Sequence, residues 1–138
     1  MKYAYYPGCS THSSAKEYGD SAKAVCKALD IELVEIPDWN CCGAIDAVSS
    51  YEPEFSVALA ARNLALAEKM QVDIVTVCSA CYFTLARTNK LFKENSEVRA
   101  KVTEALGAIG LSYSGGVKVR HLLEVLLLML AWTKLKPK

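Results

Sequence analysis

Six of the 138 residues are cysteine, and none lies beyond position 81. Five of them form a pattern: Cys9, then Cys41-Cys42-Gly43, then Cys78-Ser79-Ala80-Cys81. Thiolates bind zinc and iron–sulfur clusters and attack disulfides, so three chemistries are open. Six cysteines are too few for a disulfide scaffold, which runs at roughly 8–10%. The start, Met1-Lys2-Tyr3-Ala4-Tyr5-Tyr6-Pro7, has no apolar stretch of signal-peptide length. A cytoplasmic, reducing setting is therefore expected, where cysteines are more often metal ligands or redox groups than staples. Five thiols are one too many for a single tetrahedral zinc, and an ordinary cubane uses four. The set suits a polynuclear centre, either something other than a plain cubane or a cubane with one spare thiol. Cys26 stands outside the pattern, at helical spacing with Ala22 and Leu29, and reads as core.

The elements that must position these thiols alternate in type. Residues 2–6 read as a strand ended by Pro7-Gly8, and 13–29 as a helix with Ala15, Tyr18, Ala22, Val25, Cys26 and Leu29 on its apolar stripe. A second strand, 31–36, stops at Pro37, and the loop Asp38-Trp39-Asn40-Cys41-Cys42-Gly43 follows. A helix over 53–70 presents Ala58, Ala61, Leu64, Ala65 and Ala67 as a small-residue face. The β-branched run 73–77 fits a strand buried on both sides. Helices over 79–95 and 98–109, a strand over 117–120 and a helix over 122–135 complete the order. This alternation predicts a single Rossmann-like α/β domain over residues 1–138. About four parallel strands with right-handed crossovers would be flanked by helices.

Parallel strands share one carboxyl edge, where open α/β sheets place their ligands. Cys9 follows the first strand, Cys41 and Cys42 the second, and Cys78 the third, so the thiols should converge there. Cys78 and Cys81 should share the first turn of the next helix, whose free N–H groups and dipole favour thiolate. His121, closing the fourth strand, would lie on the same edge, in a hydrogen-bonding or substrate role beside the ligands. Trp39 and Tyr82 adjoin ligands and are expected to shield the site. His12 is expected at the site edge or a helix start. Arg62 and Asn63 read as helix surface and packing contact, with charge neutralisation as a second role for Arg62.

A net charge of +1 with 22% charged and 52% apolar residues fits a folded domain. It argues against a nucleic-acid binder. The unbroken apolar run 125–132 is too short to span a bilayer. A helix apolar all round needs burial on more than one side, on a partner or on the domain's own sheet.

Tyr6-Pro7-Gly8-Cys9, Asp38-Trp39-Asn40-Cys41-Cys42-Gly43-Ala44, Ala61-Arg62-Asn63-Leu64, Cys78-Ser79-Ala80-Cys81-Tyr82 and Val119-Arg120-His121-Leu122-Leu123 together resemble the CCG cysteine-rich domain. The resemblance is to the branch formed by the B-type subunits of heterodisulfide reductases and covers about residues 2–125. It implies that Cys9, Cys41, Cys42, Cys78 and Cys81 hold a noncubane [4Fe–4S] cluster. It also implies electron transfer from cubane clusters on a partner protein, and reduction of the coenzyme M–coenzyme B heterodisulfide in methanogenesis. That family carries two CCG repeats and this sequence has one. Oxidoreductase activity is therefore expected only with a second CCG-containing chain or a homodimer, unless the chain is a truncated remnant. Two rivals stay open: a zinc-binding structural or interaction module, and a metal-free thiol–disulfide oxidoreductase using Cys78 and Cys81. The latter leaves Cys9, Cys41 and Cys42 unexplained.

Overall fold

The computed structural model describes residues 1–44 and 50–135, with side chains described except at 132–135. Trp132, the last residue of the apolar run, thus has its side chain outside the described residues. Four strands, β1 (Lys2–Tyr6), β2 (Glu32–Glu35), β3 (Ile74–Thr76) and β4 (Val119–His121), form one sheet in the order β2-β1-β3-β4. Every pairing is parallel: Ala4 faces Val34 on one side and Ile74 on the other, and Thr76 faces His121. The helices are α1 (Lys16–Ala28), α2 (Pro53–Lys69), α3 (Ser79–Glu94), α4 (Ser96–Ala108) and α5 (Leu122–Leu135), with a 3-10 turn at Ser10–His12.

The pleat divides the core in two. Ala4 and Tyr6 of β1 and Ile74 of β3 point to one face, with Ala60, Ala61, Leu64, Leu85, Phe92, Val102 and Leu106 of α2, α3 and α4. Tyr5 and Val75 point to the other, with Ala22 and Cys26 of α1 and Leu122 and Val125 of α5. Burial on both faces explains the continuous apolar reading of β3. The alanines of α2 let that helix lie close to the sheet.

Three expectations change. The first helix begins at Lys16 rather than Ser13, because Ser10–His12 tightens into a 3-10 turn after Cys9. Its stripe is only half used: Ala22 and Cys26 are buried, whereas Tyr18, Val25 and Leu29 are exposed. The apolar run of α5 divides likewise, with Leu122 and Val125 buried on the domain's own sheet and Leu123, Leu127 and Leu128 exposed. Among the described residues no helix is long and apolar enough to cross a membrane.

Glu68 of α2 ties down the loop before β4. Its carboxylate accepts from the Ser114 N–H at 3.0 Å, the Ser114 hydroxyl at 2.6 Å and the Gly116 N–H at 2.8 Å. Burial opposes its charge, but these hydrogen bonds outweigh it and hold the carboxyl below its usual value. A depressed carboxyl contributes stability that is complete above the unfolded pKa and is lost as pH falls through the folded one. Glu68→Gln should therefore destabilise the chain most at neutral pH. In urea titrations the gap from wild type should narrow once pH drops below about 4.3, the unperturbed glutamate value. A gap independent of pH would locate the effect elsewhere.

Candidate metal centre

The strand order places a crevice at the carboxyl edge between β1 and β3. From β1 the chain turns outward to β2. From β3 it continues to the opposite side, so the two following loops diverge. Cys9 leaves β1 and Cys78 leaves β3 at this point, and the loop after β2 brings in Cys41 and Cys42. All five pattern cysteines are free thiols. Their fields overlap: Cys41 senses Cys9 and Cys42, and Cys81 senses Cys42 and Cys78. The Cys42 and Cys81 sulfurs share a hydrogen bond at 3.5 Å. Cys42 and Cys81 are buried, Cys41 and Cys78 half-buried, and Cys9 exposed. Among the described residues, no three His, Cys, Asp or Glu side chains are gathered for a single metal ion. Cys26 lies in the opposite core, as expected.

Two glycines permit this approach. Gly8 has φ +76°, and a Cβ there would stand 3.1 Å from the Cys81 sulfur. Gly43 has φ +81°, and its Cβ would meet the Ser56 carbonyl oxygen at 2.8 Å. The Ser56 hydroxyl donates to the Gly43 carbonyl at 2.8 Å, so the vicinal pair is pressed directly onto α2.

Tyr6 is the centre that the spacing did not single out. It is fully buried, and its hydroxyl donates to the Asn40 carbonyl at 2.8 Å. Burial, and then the surrounding Cys42, Cys81, Cys41 and Cys9 sulfurs, push its pKa far up, so it remains a neutral donor. The same hydroxyl lies close enough to Cys42 to help lower that thiol. Its presence in the Tyr6-Pro7-Gly8-Cys9 run was the available signal.

The helix-terminus expectation changes. Cys78 is the residue before α3, with extended backbone, rather than part of its first turn. The contact with Cys42 and burial raise Cys81 instead of lowering it. The lowered thiol is Cys42, through the hydrogen bond with Cys81 and the Ala44 backbone N–H, against burial. Burial raises Cys41 despite the Gly43 N–H at 3.5 Å from its sulfur.

The neighbours fall into place around the thiols. Trp39 packs edge-on against Tyr6 at 5.5 Å, and its Nε1–H donates to Glu35 at 3.0 Å. His12 stacks on Trp39 at 5.2 Å and lies 3.4 Å from Glu35, at the exposed rim near Cys9. Tyr82 meets His121 edge-on at 6.0 Å. His121 accepts the Leu123 N–H on Nδ1 at 3.1 Å, while its Nε2 is shielded and has no hydrogen-bond partner among the described residues. Arg62 does not face the thiols with a free charge: it pairs with the Asp38 carboxylate at 2.5 Å.

The CCG cysteine-rich domain model matches residues 3–86. This chain belongs to the CCG cysteine-rich domain family. It is homologous to the B-type subunit of the ferredoxin/F(420)H(2)-dependent CoB-CoM heterodisulfide reductase of Methanosarcina acetivorans, with 34% identity over 98% of this chain and 45% of that protein. It is also 35% identical to the 8-methylmenaquinol:fumarate reductase membrane anchor subunit of Wolinella succinogenes, over 91% of this chain and 43% of that protein. The chain thus spans less than half the length of these relatives. A crystal structure of a hypothetical protein from Helicobacter pylori shares the fold, with TM-score 0.77 and 19% identity, over 90% of this chain and 24% of that one.

Two glycines of similar φ separate backbone cost from packing cost. Gly110 has φ +74° and open space around a Cβ. Gly110→Ala should cost only the left-handed conformation, about 1–2 kcal/mol. Gly43→Ala must also displace Ser56 and should cost clearly more in urea unfolding of the reduced, metal-free chain. Equal costs would mean that the contact with α2 relaxes freely.

Proposed function

We propose that the chain is an electron-carrying iron–sulfur module whose Cys9, Cys41, Cys42, Cys78 and Cys81 hold a noncubane [4Fe–4S] cluster. One observation carries the reading: of five soft thiol donors in the loops after three parallel strands, Cys9, Cys41, Cys42 and Cys81 surround the buried Tyr6, and Cys78 adjoins Cys81. The donor set fits such a group, since it has more sulfurs than one tetrahedral ion takes and no carboxylate among them. The cluster would supply one-electron chemistry when bound. Trp39 and Tyr82 keep water from the sulfurs, and the neutral Tyr6 hydroxyl, donating to the Asn40 carbonyl, lies beside Cys42. His121, with Nδ1 occupied as an acceptor, carries its proton on the buried Nε2.

The family relationship supports a role in disulfide reduction of the kind named for the Methanosarcina relative. Cleaving a disulfide consumes two electrons and two protons and yields two thiols. A single one-electron centre delivers half of the electrons. In this reading residues 1–138 act as one CCG unit. A second such unit, on another chain or a second copy, completes the reaction, and a cubane-bearing partner protein supplies the electrons. The unit works in the cytoplasm in this reading.

Anaerobic purification with iron, sulfide and zinc analysis tests the reading. We expect about four irons per chain, the content of a [4Fe–4S] cluster, with visible absorption. Colourless protein with one zinc would overturn it in favour of a structural zinc module. Cys41→Ser and Cys78→Ser should both lower iron content sharply, whereas a four-ligand zinc site would tolerate loss of one of the vicinal pair.

A further inference from the structure

We propose that Asn63 is a positioning residue: acting through Asn40, it sets the direction of the Cys41 and Cys42 thiols. Asn63 lies on α2 and is fully buried. Its side-chain amide meets both backbone polar groups of Asn40. The Asn40 N–H donates to Oδ1 at 3.0 Å, and Nδ2 donates to the Asn40 carbonyl at 2.9 Å. One residue of a strand offers its neighbour this kind of two-point pairing. Here a side chain provides it, beyond the end of β2, where the main chain has left the sheet.

Asn40 is held on every other side as well. The Tyr6 hydroxyl takes the second position on its carbonyl, at 2.8 Å. Its Nδ2 donates to the Cys41 carbonyl at 2.8 Å and the Leu59 carbonyl at 3.0 Å, and its Oδ1 accepts from Arg62 at 2.9 Å. The backbone N–H, the carbonyl and both ends of the side chain are thus engaged in the residue just before the vicinal cysteines. A loop has no ladder of its own to fix its backbone, so these bonds supply what secondary structure does not. Asn63 is the member of this group on a helix with no exposure at all. Removing its amide leaves the half-buried Asn40 N–H without its partner and its carbonyl with the Tyr6 hydroxyl alone.

A purely structural asparagine would cost stability without changing which thiols are accessible. Asn89 provides that comparison. It is buried too, donates to the Val117 carbonyl at 2.8 Å and accepts from the Tyr113 hydroxyl at 2.6 Å, away from the cysteines.

The significance of the proposal rests on Cys41 and Cys42 being ligands. Its test uses the reduced, metal-free full chain, so a failure here is separable from a failure of the cluster reading. Iodoacetamide labelling is read at each cysteine by tandem mass spectrometry, and Cys78 serves as the internal reference. Asn63→Leu should raise labelling of Cys41 and Cys42 relative to Cys78 by about tenfold, the scale of one lost buried hydrogen bond. Asn89→Leu should leave that ratio unchanged while lowering the urea midpoint. If Asn63→Leu does not fold, Asn63→Asp keeps the acceptor, loses the donor and should still raise the ratio. An unchanged ratio in a folded Asn63 variant, or an equal rise in Asn89→Leu, overturns the proposal.

Discussion

The parallel pairing of β1 with β2 on one side and β3 on the other is the constraint on which the rest depends. It makes three successive loops leave the sheet from one edge. It also makes the loops after β1 and β3 diverge, which opens space between them. Cys9, the Cys41-Cys42 pair and the Cys78 to Cys81 turn need no long-range design beyond this. An antiparallel arrangement of the same strands would send alternate loops to opposite ends. The pattern of cysteines is therefore as much a statement about topology as about chemistry.

Pairing brings the loops to one edge, but packing decides how close the sulfurs come. Two positive-φ glycines sit at close approaches beside the thiols, Gly8 by Cys81 and Gly43 against Ser56. The face of the sheet matters too. Tyr6 points into the core shared by α2, α3 and α4, and Cys42 and Cys81 are buried in that same core. The site is thus the carboxyl end of one core layer, continuous with apolar packing. Its inner sulfurs sit in a lower dielectric than its outer one. The opposite layer, under α1 and α5, contains only Cys26 and takes no part.

The elements were readable in the sequence because their signals are local. The Pro7-Gly8 stop, the β-branched run before Cys78 and the alanine face of α2 each mark their element without help from the rest. Asn95 shows how little a boundary needs: its side chain accepts from the Glu97 and Val98 N–H groups and starts α4 two residues earlier than the apolar spacing suggested. The five thiols were legible because their spacing matches the ends of three strands. Tyr6, Asn40 and Asn63 were not singled out as a unit, because their roles arise from residues 23 to 34 positions apart meeting across the fold. Arg62 illustrates the same limit. Its place in the sequence leaves a helix-surface role and a counter-charge role open, and the ion pair with Asp38 becomes visible only in the fold. The order of thiol acidity within the site escapes the sequence for a related reason. A helix N-terminus favours thiolate in general, but at Cys81 a hydrogen-bonded neighbour and burial are nearer and larger.

The charge state of the thiol set follows from that last point. Five thiolates in one partly buried crevice would repel one another, and burial would oppose each of them. The fold resolves this unevenly. Cys41 and Cys81 are raised, and Cys42 is lowered by the hydrogen bond with Cys81 and the backbone N–H of Ala44. Tyr6 stays protonated at the centre, because burial and each surrounding sulfur make a phenolate more costly. The site is therefore uneven in its distribution of charge. Its sulfurs are near one another as thiols, and most of their negative charge would appear only when cations arrive to balance it. A metal bound by these thiols would release protons and turn them into thiolates. A rigid loop matters most under that requirement. Once charged, the sulfurs repel one another, and the backbone, tied to α2 through Asn40 and Gly43, helps keep Cys41 and Cys42 where they were.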